Sequence, residues 1–415
     1  MRLTDIERAM LAGKLGEPRR WAIEQQMRVG RFFDAKDFVE VTQVHLMADT
    51  ESLGDSGVEF LESLAGAPEA ERRVRVPTVT DPRGIDFAAY KRLKQTERMA
   101  DLERRAIAAF RAMGVMMTDT CINYQTIMPP VRGEHLAFGD TGSTIYVNSV
   151  LGARSNFEGG PAALAAALTG RAPRYGYHLP EKRRGTAAFA LKTRPQSLSD
   201  WGAVGGIIGR KLQSYWQVPV IEGIEEAPTS DELKHFGAAL ASFGTVALFH
   251  MVGVTPEAPD RRRAFGRRAP PRAKPITAAD IRAFYGSYGA KGDKLDVVVF
   301  SAPQLSLVEM QSLAGLVSGR RIHSGTTLLA ATSPEIKAAC DRMGFTAAIE
   351  GAGGIVASGV CFYQMHAREI GEANGWRRLM SNSAKLVNII GGYGYEPVLA
   401  TMERCVDSAV AGKVL

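Results

Sequence analysis

The alternation of segments after residue 276 constrains this chain most. "KLDVVVFSAP" reads as a buried strand, and "LSLVEMQSLAGLVSG" as a helix opened by Ser306 and Glu309 at capping-box spacing. "TTLLAAT" reads as a second strand. "SPEIKAACDRMG" reads as a second helix, with Ser333 at the N-cap, Pro334 at the first helical position and Gly344 as its stop. Strand, helix, strand, helix predicts a parallel sheet with helices on its faces. Ligands of such sheets sit beyond the carboxyl ends of the strands. Here those positions are residues 301–304, Ser333 and the "EGAGG" turn, and Cys361 follows soon after. Cys361 is therefore expected near a crevice and not deep in a core.

The N-terminal part carries the same signals more loosely. Thr4 and Glu7 form a capping-box pattern, and a second helix is expected to run to about Val29. "DFVEVTQVHL" predicts a strand ending near His45, "RRVRVPTVT" another, and "AAYKRLKQTERMADLERRAIAAFRAMG" a long amphipathic helix ending at Gly114. The expected fold class is α/β with mostly parallel sheets. The expected division is an N-terminal α/β region over 1–258, a basic Pro/Arg-rich loop over 259–275, and a C-terminal α/β region over 276–415.

Charge excludes one class of partner. The net charge of +7 is concentrated in "PDRRRAFGRRAPPRAKP", which alone carries +6. A nucleic-acid footprint spreads along a folded face, whereas this stretch reads as a solvated loop, so no nucleic-acid partner is expected. The N-terminus lacks an apolar signal core, and no apolar run approaches the ~20 residues of a membrane helix. A cytoplasmic protein with no membrane partner is expected. Glycine clusters such as "WGAVGGIIG" and "GGYGYEP" match neither dinucleotide nor P-loop spacing, so they read as tight turns.

Cys121, Cys340, Cys361 and Cys405 form no CxxC pair. Each alone reads as a small buried hydrophobe, and Cys340, mid-helix, is assigned to the core. Three thiols brought together by the fold would instead hold iron and leave a coordination position open. His45, His135, His178 and His250 lie near segment ends, where a hydrogen-bonded structural histidine is the simpler reading. Lys385 follows Ser381, Asn382 and Ser383, which suits either an anion site or a snorkelling surface lysine. "NSVLGARSNFEGG" puts Asn148, Ser149, Arg154, Asn156 and Glu158 beside the small-residue helix "PAALAAALTG". That reads either as an anion-binding edge or as a structural turn closed by a buried Arg–Glu pair.

"NSVLGARSNFEGGPAALAAALTGRAPRYGYHL", with Cys121 upstream, "HMVGVTPEA", and the tail "SNSAKLVNIIGGYGY" through Cys405 to "AGK", resembles aconitase X across nearly the whole chain. The resemblance implies an aconitase-like fold of several α/β/α layers. It implies the large subunit of a hydro-lyase, which dehydrates cis-3-hydroxy-L-proline to Δ1-pyrroline-2-carboxylate or, in an archaeal branch, 5-phosphomevalonate; the alternative is a non-catalytic iron–sulfur or ligand-binding relative. It also implies an iron–sulfur cluster, expected as [2Fe–2S], or a mononuclear iron on Cys121, Cys361 and Cys405. A separate small swivelling-domain subunit would bring a serine base. The catalytic set expected on this chain is Arg154, Lys385 and His45, with Glu158 pairing Arg154. The substrate set, for a small hydroxy acid, is Asn148, Ser149, Arg154, Asn156 and Ser56. The chain departs from the family pattern at "CINYQ", at Gln304, where a histidine is usual, and at Phe138 and Asp140.

Overall fold

The computed structural model describes residues 1–266, 269–290 and 294–415. Three parallel sheets follow one another along the chain. The first orders Thr78–Thr80, Val44–Leu46 and Ala137–Phe138. Bridges His135–Arg154 and Phe138–Phe157 lay residues 154–157 parallel beside its edge. The second orders His250–Met251, Pro219–Glu222, Ala187–Leu191 and Lys274–Ile276. The third orders Ile355–Ser358, Thr327–Thr332, Val297–Leu305, Arg378–Ser381 and Glu396–Leu399. An antiparallel pair, Phe38–Glu40 with Arg171–Pro173, stands apart from these sheets.

The third sheet forms as its sequence dictates. Val297–Leu305 is buried along its whole length, as a strand covered on both faces must be. Ser306 caps Leu307–Val317 reciprocally with Glu309, and Ser333 caps Pro334–Met343, which ends on left-handed Gly344. One apolar core runs from Phe138 and Ile145 through Phe189 and Phe236 to Val298 and Leu328, welding the sheets together.

Three elements differ from the sequence reading. The long helix is only Glu97–Ala112, because Lys94 turns left-handed and Thr96 caps a fresh start. "DFVEVTQVHL" divides into two short strands in different sheets. The basic stretch is not a plain solvated loop. Asp260 caps a short helix, Arg261–Phe265, and Lys274–Ile276 pairs with Ala187–Leu191 as an edge strand. Its Arg267 and Arg268 lie outside the described residues. That edge strand ties the stretch to residues 187–251, so the sheets divide the chain three ways where composition suggested two regions and a linker.

Candidate active site

The carboxyl ends of the first and third sheets meet. Beyond the first lie Asp49 after Val44–Leu46, Asp81 after Thr78–Thr80 and Asp140 after Ala137–Phe138. From the third come Ser301 and Gln304 on its central strand and Cys361 after Ile355–Ser358. Residues 116–120 run beside Thr78–Thr80, Thr120 N donating to Thr80 O at 3.0 Å, and deliver Cys121 to the same point.

Cys121 and Cys361 are both buried and hydrogen-bonded to each other. Ser301 Oγ donates to Cys361 Sγ at 3.5 Å, and the Gln304 amide donates to Cys121 Sγ at 3.4 Å. Burial pushes the Cys361 thiol up, but the bond from Cys121, the Lys385 ammonium and the Ser301 hydroxyl outweigh it, so its pKa falls. Donating to Cys361, and burial, raise the Cys121 pKa. Of the two, Cys361 is the one that loses its proton more readily, and the thiolate is the nucleophilic and metal-binding form.

Gln304 fixes the spacing of the two. Its Nε2 donates to Asp119 O, Thr332 O and Val360 O at 3.1, 3.3 and 3.1 Å, tying together the segments that carry both cysteines. Its backbone carbonyl accepts from buried Lys234 at 3.2 Å. Lys234 in turn pairs with Glu309, and His235 Nε2 meets the other Glu309 oxygen at 2.7 Å.

Lys385 rises from the first turn of Ala384–Ile390 and reaches Asp140 Oδ1 at 3.2 Å, both side chains buried. Burial lowers the Lys385 pKa, yet Asp140, the two sulfurs and Asp81 together lift it above the ordinary lysine value. Asp140 is also held by the Ser143 amide at 2.7 Å, and it stays below its usual value despite burial. Asp81 moves the other way: burial, then Asp140, raise it well above the usual range, so it keeps a proton. Burial lowers the His45 pKa, so its ring is neutral. Its Nε2 donates to Thr120 O at 2.7 Å, and the 3.6 Å approach to Asp81 is no ion pair. Gln364 Nε2 links Asp81 Oδ2 at 2.8 Å to Asp49 Oδ2 at 3.2 Å. Beside Asp49 opens a mostly apolar cleft of about 500 Å³, walled by Leu46, Met47, Leu53, Phe60, Gly139 and Gly159.

The structure gathers Cys121, Cys361, Lys385 and His45, and leaves the other expected residues elsewhere. Cys405 is sealed in the apolar core on Met402–Ala411, its thiol 3.9 Å from Ala400 O, and burial raises its pKa. Arg154 sits at the amino end of its edge segment, while Asp140 and the sulfurs lie at the carboxyl end. The helix Thr141–Ser149 between them is about 13 Å long. Glu158 does not pair Arg154. Burial lifts its pKa to about 7, and its Oε1 has no hydrogen-bond partner among the described residues. Asn148 bonds Ser155 N and O and Ala247 O, Ser149 Oγ accepts from Phe249 N, and Asn156 is filled by Tyr175, Tyr177 and Tyr215. The stretch is closed by an Arg–Glu pair, but that pair is buried Arg183 with half-buried Glu257 at 3.0 Å. Ser56 is exposed, and Ser52 and Gly57 line the cleft in its place. The serines before Lys385 are structural, Ser383 Oγ donating to Ala302 O at 2.5 Å.

Ser301 lies at the strand end where ligands were expected, whereas Asp81 and Asp49 join the site without having been singled out for it. Their signal was positional, as polar residues at or just past predicted strands, which are common in any α/β chain. Among the described residues no three His, Cys, Asp or Glu side chains sit in a metal-holding arrangement. A three-cysteine centre therefore does not fit. The two sulfurs of Cys121 and Cys361 are the ones the fold brings together, and protonated Asp81 stands near Cys361 with its Oδ1 buried and without a hydrogen-bond partner among the described residues.

Parallel sheets meeting at buried thiols and a lysine–carboxylate pair make an α/β protein with an enzyme-like crevice. Models of the aconitase X first, second and third domains match residues 1–181, 185–286 and 295–411. The chain is 34% identical to the phosphomevalonate dehydratase large subunit of Methanothermobacter thermautotrophicus, over 94% of each chain. It is 30% identical to the cis-3-hydroxy-L-proline dehydratase of Pseudomonas aeruginosa, over 99% of this chain and 70% of that one. The crystal structure of Thermococcus kodakaraensis aconitase X in its holo-form superposes with a TM-score of 0.85 at 28% identity, over 99% of this chain and 100% of that one. The chain belongs to the aconitase X family and is a hydro-lyase. No helix among the described residues is long and apolar enough to cross a membrane.

Proposed function

We propose that the chain removes water from a small 3-hydroxy acid, cis-3-hydroxy-L-proline, giving Δ1-pyrroline-2-carboxylate, with an iron centre held on Cys121 and Cys361. The observation that carries this reading is the buried thiol pair beside Lys385 and Asp140 at the meeting of two sheets. Such a reaction needs loss of the proton α to the carboxylate, stabilisation of the resulting enolate, and departure of the β-hydroxyl. Iron, when bound, acts as a Lewis acid on that hydroxyl.

The rest falls to side chains. Asp140 engages one donor of the Lys385 ammonium, leaving its other hydrogens to meet a substrate carboxylate where low dielectric strengthens the contact. Asp81 holds a proton that the departing hydroxide can accept. His45, neutral and bonded to Thr120 O, fixes the residue before Cys121 and acts as a positioning group.

The α-proton is taken by a base on a separate small subunit. Supporting this, the Methanothermobacter relative, matched over 94% of its length, is named a large subunit. The phosphomevalonate reading has its own support in the 34% relative. Against it, the two cations near the sulfurs, Lys385 and Arg83, already face Asp140 and Asp119, with no surplus charge for a phosphate dianion.

The test is turnover by the iron-reconstituted chain with its small subunit, assayed anaerobically on both acids. The expected result is kcat/KM for cis-3-hydroxy-L-proline at least about a hundredfold above that for 5-phosphomevalonate. The reverse preference would replace this substrate with the other. Inactivity on both by an iron-loaded complex would sink the substrate reading altogether.

A further inference from the structure

At the other end of the first sheet, three arginines line a cavity of about 260 Å³ together with Gly133, Gly152 and Glu257. They are Arg132, Arg154 and Arg183, and the backbone draws them together. Arg154 N donates to Glu134 O at 2.8 Å, and Gly133 N donates to Gly152 O at 2.8 Å, so the loop carrying Arg132 is stitched to the segment carrying Arg154. Gly152 adopts a left-handed φ of +70°, and a Cβ there would meet Arg132 Cγ and Pro256 Cγ at 3.1 Å, so the close approach depends on glycine.

The charges do not balance. Arg183 Nε takes both Glu257 oxygens at 3.0 Å, while its Nη groups reach Asn148 O at 2.8 Å and Tyr177 O at 3.2 Å. That pair is internally neutral and structural. Arg154 makes one long bond, Nη1 to His178 O at 3.5 Å, and its Nε is buried without a partner among the described residues. Arg132 is exposed and forms no ion pair among the described residues. Two guanidinium groups thus face a cavity with unmatched charge and unmatched donors. A desolvated guanidinium nitrogen without an acceptor is costly, and a bound oxyanion relieves that cost.

We propose that Arg132 and Arg154, on the platform of the Arg183–Glu257 pair, form a binding site for a small phosphate dianion, distinct from the thiol centre. Two uncompensated positive charges match a dianion, and the fork geometry of arginine suits phosphate oxygens. The helix Thr141–Ser149, about 13 Å long, separates the two sites, so one small hydroxy acid does not span both. The site stands whether or not the proposed substrate is correct.

The test is isothermal titration of the purified chain with inorganic phosphate at low ionic strength, in a zwitterionic buffer near pH 7.5. The wild type should bind one phosphate. Arg154→Gln and Arg132→Gln should each weaken binding at least tenfold, while Cys121→Ser should leave it unchanged. Arg132 is exposed, so its variant folds and keeps the comparison meaningful if Arg154→Gln does not. No binding to the wild type would overturn the proposal. So would binding that Cys121→Ser abolishes and Arg132→Gln retains, which would place the phosphate at the thiol centre.

Discussion

Glu158 is a buried carboxyl with no cation beside it, and its pKa of about 7 against an ordinary 4.5 has a measurable consequence. The folded chain binds this proton more tightly than the unfolded chain. The stabilisation is fully present below about pH 4.5 and is lost as pH rises through 7. Glu158→Gln removes the ionisable group but keeps the shape, so the variant should gain roughly 3 kcal/mol over wild type between pH 5 and pH 8. Urea unfolding at the two pH values measures this, and a gap that does not change with pH would contradict it. Arg154→Lys should leave turnover within about twofold of wild type, because the guanidinium lies at the wrong end of the sheet. A hundredfold loss with unchanged thermal stability would return Arg154 to the catalytic set. These residues were misread for one reason. "NSVLGARSNFEGG" names its polar groups but not their partners, and the partners come from residues 175–183, 215, 247, 249 and 257. Asp140 is a second case: in the sequence it stood out only as a departure from the family pattern, and its lysine, 245 residues away, was not legible.

Helices Leu198–Leu212 and Ser230–Gly244 pack with their backbones nearly touching. A Cβ on Gly205 would stand 2.3 Å from Phe236 O, and one on Gly244 would stand 2.7 Å from Gly209 Cα. Gly205→Ala should therefore cost roughly 2–4 kcal/mol, the scale of overpacking against unyielding backbone. A loss under 0.5 kcal/mol in chemical denaturation would show that the helices can separate freely. The second helix also carries Lys234, so Glu309→Ala should cost about 3 kcal/mol by removing the closer of the buried ammonium's two carboxylate partners and leaving only Asp231 at 3.2 Å. An unfolding midpoint equal to wild type would refute that. At this scale the sequence was most informative where the signal is local. The capping boxes at Thr4 and Ser306, the Ser333 cap and the Gly344 stop all appear in the structure. The basic stretch misled because its strand, Lys274–Ile276, is held by a distant neighbour and not by its own composition. "WGAVGGIIG" did mark close packing, but only the fold shows that the contact is with another helix.

Across the whole molecule, the α/β class followed from the alternation of strands and helices. The meeting of two sheets at their carboxyl ends did not, because it depends on segments some 240 residues apart, those ending at Cys121 and Cys361. The proposed chemistry rests on that meeting, where the two sulfurs would hold an iron centre while Cys405 packs in the core. Iron analysis after anaerobic reconstitution of wild type, Cys121→Ser, Cys361→Ser and Cys405→Ala tests it most directly. The account predicts that the first two variants lose bound iron and its visible absorption while Cys405→Ala keeps both. Iron retained by Cys121→Ser, or lost from Cys405→Ala as completely as from the others, would contradict it.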